Sequence, residues 1–179
     1  ILEKVTLTEE GMLLRKRAEE MVELMEKTKA ELTSSNENIN GEVYIGCGVT
    51  DAISFLAQAA QNLQKKHPLI HYHIYSGDAE SVMERLDKGL IDFGLLVGSV
   101  DVAKYEYMRL PMKDTWGVLM RKDSPLDKLI NTTGESRLCF KPLSPALESG
   151  LCIIWKKHQV FSRASNKFLH QLQCGIENK

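Results

Sequence analysis

An α/β domain with a parallel sheet flanked by helices, preceded by a long N-terminal helix, is the architecture this sequence predicts. Three observations carry it. Between residues 42 and 97, short runs rich in β-branched and aromatic residues alternate with amphipathic stretches of helical period, as strand-helix-strand units require. Ahead of them, apolar residues recur at alternating steps of four and three along a charged segment. At 179 residues, 43% of them hydrophobic, the chain can bury a real core and carry an extension besides.

The N-terminal helix begins after Leu7-Thr8-Glu9-Glu10-Gly11, a run that reads as the exit of one domain into a connecting helix. Thr8 suits the N-cap, and Glu9 and Glu10 fall in the first turn, where the helix dipole favours negative charge. Leu14, Ala18, Met21, Met25, Thr28 and Leu32 then form a narrow apolar seam, with Arg, Lys and Glu on the faces beside it. A narrow, sustained seam inside a mixed-charge surface predicts pairing with another helix rather than packing on its own domain. Leu14, Ala18, Met21, Met25 and Leu32 are the expected dimerisation residues. The polar stretch 34–41 ends the helix as a hinge.

Glu42–Gly46 reads as the first strand of the body, running into the turn Cys47–Asp51. A helix follows with Ile53, Leu56, Ala57, Ala60 and Leu63 on its apolar face, and His67-Pro68 stops it. His71–Ser76 is the next strand, Gly77-Asp78 a turn, and Ala79–Lys88 the next helix, ended by Gly89. Ile91–Val97 is a buried strand. Trp116–Met120 and Cys152–Trp155 read as further strands, with Trp116 and Trp155 in the core. Ser162–Leu172 is a closing helix with Ala164, Phe168 and Leu172 on one face.

Consecutive strand-helix-strand units imply parallel pairing, and ligands of such sheets bind beyond the carboxyl ends of the strands. Three loops are therefore candidate ligand contacts: Gly48, Val49, Thr50 and Asp51; Ser76 and Gly77, with Asp78 beside them; and Gly98 with Ser99. Glycine allows close backbone approach, and unpaired N–H groups at helix starts can hold a carboxylate. The Thr50 and Ser76 hydroxyls add oriented hydrogen bonds. Thr50, Asp51 and Asp78 also suit plain helix capping, and the charge of Asp51 competes with an anionic ligand.

Several function classes find no support. Net charge is −1, without the basic stripe of a chain that grips duplex DNA by itself. No apolar run is long enough to span a bilayer, and the first residues lack the pattern of a secretory signal. Cys47, Cys139, Cys152 and Cys174 form neither a CxxC pair nor a zinc spacing, which fits reduced thiols in a cytoplasmic protein. His67, His71 and His73 lack further ligands by spacing, so no metal and no cofactor is expected. No GxSxG, Walker loop, GxGxxG or HExxH occurs, and Gly46-Cys47-Gly48 is only part of a dinucleotide fingerprint.

Five segments in order resemble the LysR-type transcriptional regulators. Leu7–Gly11 is similar to the end of that family's winged head, and Gly41–Gly46 to the first strand of its effector domain. Lys66-His67-Pro68-Leu69-Ile70 resembles its K-x-P-x-I entry to the second strand. Leu86–Leu95 resembles its L-x-x-G-x-I/L-D run, and Trp116–Met120 with Asp123–Leu126 the strand leaving the first subdomain.

The resemblance implies a bacterial, cytoplasmic, non-enzymatic regulator with a periplasmic-binding-protein-like fold. It would dimerise or tetramerise through the linker helix, reach DNA through an N-terminal domain outside this chain, and bind a small-molecule effector between two subdomains. The first two candidate loops match the family's ligand-contacting loops, and Gly98-Ser99 lies next to its hinge. The expected division is linker helix 1–38, first subdomain 39–126 and 138–179, and a junction or remnant of the second subdomain at 127–137. After Leu126 the family continues with a second α/β unit of roughly 70–90 residues. Here the chain passes to Leu138–Leu143, which resembles the segment re-entering the first subdomain. Two alternatives stand beside this reading: a two-lobed solute-binding protein of the cell envelope, and a small α/β enzyme using Cys47 or Asp51.

Overall fold

The computed structural model describes residues 6–33, 40–48, 50–98, 100–101, 103–121 and 138–177. Helix α1 (Glu9–Thr33) comes first. The body follows as β1 (Gly41–Cys47), α2 (Ile53–Lys66), β2 (Ile70–Ser76), α3 (Ala79–Asp87) and β3 (Phe93–Val97). Then come β4 (Tyr105–Thr115), β5 (Gly117–Arg121), β6 (Leu138–Pro142), β7 (Glu148–Lys156) and α4 (Arg163–Glu177).

A five-stranded sheet runs in the order β2-β1-β3-β7-β4. β1 pairs in parallel with both β2 and β3, as the strand-helix-strand pattern requires. β7 returns antiparallel between β3 and β4. Two apolar clusters follow from this layering. Helices α2 and α4 cover one face, where Leu56, Leu63, Phe168 and Leu172 meet Val43, Ile45, Phe93 and Ile153. Helix α3 covers the other, where Val82 and Leu86 meet Ile91, Leu96 and Ile154. Glycine is needed at the close of α3: Gly89 has φ +74°, and the Leu90 N–H reaches back to the Arg85 carbonyl.

The structure corrects four local expectations. Ala57 faces solvent, and Ala59 takes its place on the buried side of α2. Trp116 is 49% exposed rather than in the core, its indole N–H donating to Ser149 Oγ. The eleven-residue β4 precedes the expected Trp116 strand, which itself begins at Gly117. Leu138–Pro142 does not re-enter the main sheet: it pairs antiparallel with β5 as a separate two-stranded ribbon, and β7 makes the return. The ribbon exposes Val118, Leu119, Leu138 and Phe140. The junction expected at 127–137 lies outside the described residues.

Helix α1 begins as its sequence implies, with Thr8 Oγ1 accepting from the Gly11 N–H at 3.1 Å. Four ion pairs attach it to the body. Lys16 pairs with Glu84, Glu20 with Lys88, Glu23 with Arg85, and Lys27 with Asp92. The apolar seam is turned away, leaving Leu14, Met21, Met25 and Leu32 between 62% and 81% exposed, with Ala18 and Thr28 exposed beside them. An ordinary amphipathic helix buries its apolar stripe on its own domain; this one does the reverse.

Candidate functional site

The parallel strands bring the candidate loops to one end of the sheet. The Gly77 N–H donates to the Cys47 carbonyl at 3.0 Å, tying the loop after β2 to the end of β1. A Cβ on Gly48 would sit 3.6 Å from the Gly77 carbonyl, so the two loops touch without crowding. Gly77 itself cannot carry a side chain without displacing the Tyr75 ring, 2.7 Å from its Cβ position. Ser76 is exposed at the same edge. Val49 and Ser99 lie outside the described residues.

The helix starts at this edge are partly occupied, as the capping alternative for Thr50 and Asp78 expects. Thr50 Oγ1 accepts from the Ala52 N–H at 3.2 Å, and the Thr50 and Asp51 carbonyls accept from Ile53 and Ser54 N–H. Asp51 does not cap α2 with its side chain, which stays in solvent. Asp78 is the N-cap of α3, accepting from the Ser81 N–H at 2.8 Å, and those bonds hold its carboxyl below the usual carboxylate range.

Gly98 faces a second feature. It has φ +99°, and its N–H donates to the Gly150 carbonyl at 2.8 Å. Together with Val100, Tyr107, Arg109, Leu151 and Cys152 it lines a cavity of about 340 Å³. The Arg109 guanidinium lies 5.9 Å from the Tyr107 ring centre and forms no ion pair among the described residues. Sequence reasoning missed Arg109 and Tyr107, since β4 carries too mixed a pattern to be read as a strand; no local signal marks them.

Enzyme chemistry at Cys47 gains nothing from this geometry. The side chain is buried, and burial pushes its thiol up, away from the thiolate a nucleophile needs.

Residues 36–135, more than half of the chain, match the family description LysR substrate binding domain. The chain belongs to that family. Among its relatives are the HTH-type transcriptional regulator CysL of Bacillus subtilis and the HTH-type transcriptional activator IlvY of Salmonella typhimurium. CysL is 32% identical over 101 residues, covering 56% of this chain and 34% of that protein. IlvY is 31% identical over 91 residues, covering 51% of this chain and 31% of that protein. The chain thus spans about a third of the length of the curated relatives it matches.

The fold agrees. The crystal structure of CbnR, a LysR family transcriptional regulator, superposes with a TM-score of 0.69 at 10% identity, covering 98% of this chain and 84% of that one. The effector binding domain of QuiR in complex with shikimate gives 0.60 at 14% identity, covering 78% and 99%. The named relatives are transcriptional regulators, neither enzymes nor envelope solute-binding proteins. Among the described residues no helix is long and apolar enough to cross a membrane.

Proposed function

We propose that this chain is the effector-sensing and dimerising part of a bacterial, cytoplasmic LysR-type regulator that acts by binding rather than by catalysis. A small molecule would bind at the carboxyl ends of β1, β2 and β3, against Gly48, Val49, Thr50, Asp51, Ser76, Gly77, Gly98 and Ser99. DNA would be reached through an N-terminal head preceding α1. A second copy would pair through Leu14, Ala18, Met21, Met25 and Leu32, as a dimer or a tetramer of two dimers.

The observation that carries the ligand reading is the contact between the first two loops at the sheet edge, sealed by Gly77 N–H to Cys47 O and left open at Gly48. Arg109, without an ion pair among the described residues, adds a positive charge near Gly98, suited to an organic anion. The division into linker helix 1–38, first subdomain 39–126 and 138–179, and junction 127–137 is part of the same reading. The exposed apolar face of the β5–β6 ribbon supports it, since a neighbouring lobe would cover such a face.

The test is a thermal-shift screen of a small-metabolite library against the wild-type chain and Gly48→Phe. A compound that raises the wild-type Tm and leaves Gly48→Phe unmoved supports the site. Hits that stabilise both proteins equally place the ligand elsewhere.

A further inference from the structure

Helix α1 carries two stripes. The apolar one points outward. The other is charged, and it spaces its residues as a helix face must: Lys16, Glu20, Glu23 and Lys27 follow steps of four, three and four. Each meets an opposite charge on the body. Lys16 Nζ lies 3.5 Å from Glu84, Glu20 2.7 Å from Lys88, and Glu23 contacts Arg85, whose guanidinium also stacks 4.4 Å over the Tyr75 ring. Glu84 and Arg85 sit on α3, and Lys88 is its C-cap.

The fourth pair differs in kind. Lys27 and Asp92 are 5% and 2% exposed, and their Nζ–Oδ1 distance is 2.7 Å. Lys27 also donates to the Gly89 carbonyl at 3.0 Å and lies 5.1 Å over the Tyr44 ring. The other Asp92 oxygen accepts from the Tyr44 N–H and the Ser165 hydroxyl, each at 3.0 Å. One carboxylate therefore joins α1, β1, β3 and α4.

We infer that α1 is latched to its own body by this charge zipper, with Lys27–Asp92 as the bolt, and that the latch can open while helix and body both stay folded. Two facts carry the inference. Neither apolar cluster of the body contains an α1 residue, so the sheet and its covering helices pack on one another without it. The outer pairs are partly exposed, and such pairs weaken with salt and with loss of either partner. The latch sets how the outward seam is presented, so its opening frees the orientation of whatever that seam carries. It is a property of the chain alone and does not depend on a ligand at the sheet edge.

The experiment is amine footprinting by mass spectrometry on the full chain, with Lys27 labelling compared with that of the exposed Lys167. Wild type is measured at 50 mM and 1 M NaCl, and Glu20→Ala/Glu23→Ala at 50 mM. Amide exchange in α2 and α4 is followed in parallel. The latch predicts Lys27 labelling at least tenfold slower than Lys167 at low salt. In high salt and in the double variant it predicts a rise of several-fold, with α2 and α4 protection unchanged. Three results overturn it: Lys27 as reactive as Lys167 at low salt; Lys27 equally protected under all conditions; or Lys27 exposure accompanied by loss of protection in α2 and α4.

Discussion

Replacing Asp92 by alanine separates a latched helix from one that is part of the core. The substitution removes the acceptor of three groups: Lys27 Nζ, the Tyr44 N–H and the Ser165 hydroxyl. Lys27 can return to water if α1 lifts. The other two belong to the body and cannot. Ser165 keeps a partner in Ser162 Oγ at 3.0 Å, so the Tyr44 amide bears most of the penalty. A buried donor left without an acceptor costs about 1–3 kcal/mol, and the lost hydroxyl bond adds about 1, giving about 2–4 kcal/mol in all. For a domain of this size that lowers Tm by roughly 4–16 °C.

Lys27→Met should cost the body under about 1.5 kcal/mol, because Asp92 keeps both neutral donors and regains water once the helix lifts. Were α1 integral to the core, breaking the buried pair from the lysine side would cost about 3–5 kcal/mol. Scanning calorimetry of both variants decides between the two. A Tm for Lys27→Met at or below that of Asp92→Ala refutes the reasoning, as does an Asp92→Ala loss of less than about 2 °C.

Further outcomes follow from the packing and titration of the body. Phe168 is fully buried, edge-on to Phe93 and Tyr72 at 5.7 and 5.4 Å, so Phe168→Ala should cost about 3–5 kcal/mol in urea unfolding. Gly89→Ala forces a side chain onto a left-handed backbone and should cost about 1–2 kcal/mol in the same assay, whatever the space around it. Burial pushes the Tyr72 phenol up to about 12, from an ordinary value near ~10. The folded state then holds a proton that the unfolded chain gives up between those values, so stability should fall as pH rises through that window. Absorbance at 295 nm should show this phenol ionising only toward its upper end.

Much of the body was legible because burial dictates its pattern. Parallel β1 and β3 are apolar runs, β2 a β-branched and aromatic one at the sheet edge, and His67, Asp78 and Gly89 punctuate them where the structure does. The seam of α1 was legible from its spacing of threes and fours, and the structure leaves it exposed. What escaped depends on contacts distant in sequence. The role of Asp92 as a four-element junction needs α1 and α4 brought to the start of β3, and no local spacing encodes that. The long β4 hid behind Leu110-Pro111-Met112, where its register with β7 shifts. At the candidate site, the loops follow from topology, and of the two roles the sequence left open for Thr50, local hydrogen bonding at the start of α2 is the one its hydroxyl takes.

In the proposed assembly α1 meets its own body with a charged stripe and a second copy with its apolar seam. Sedimentation equilibrium of the wild-type chain against Met21→Glu/Met25→Glu tests it most directly. Wild type should be a dimer at micromolar concentration and the double variant a folded monomer, since both substitutions lie on the outward stripe and neither residue belongs to the body's apolar clusters. A wild-type monomer at every concentration, or a double variant that still dimerises, would contradict it.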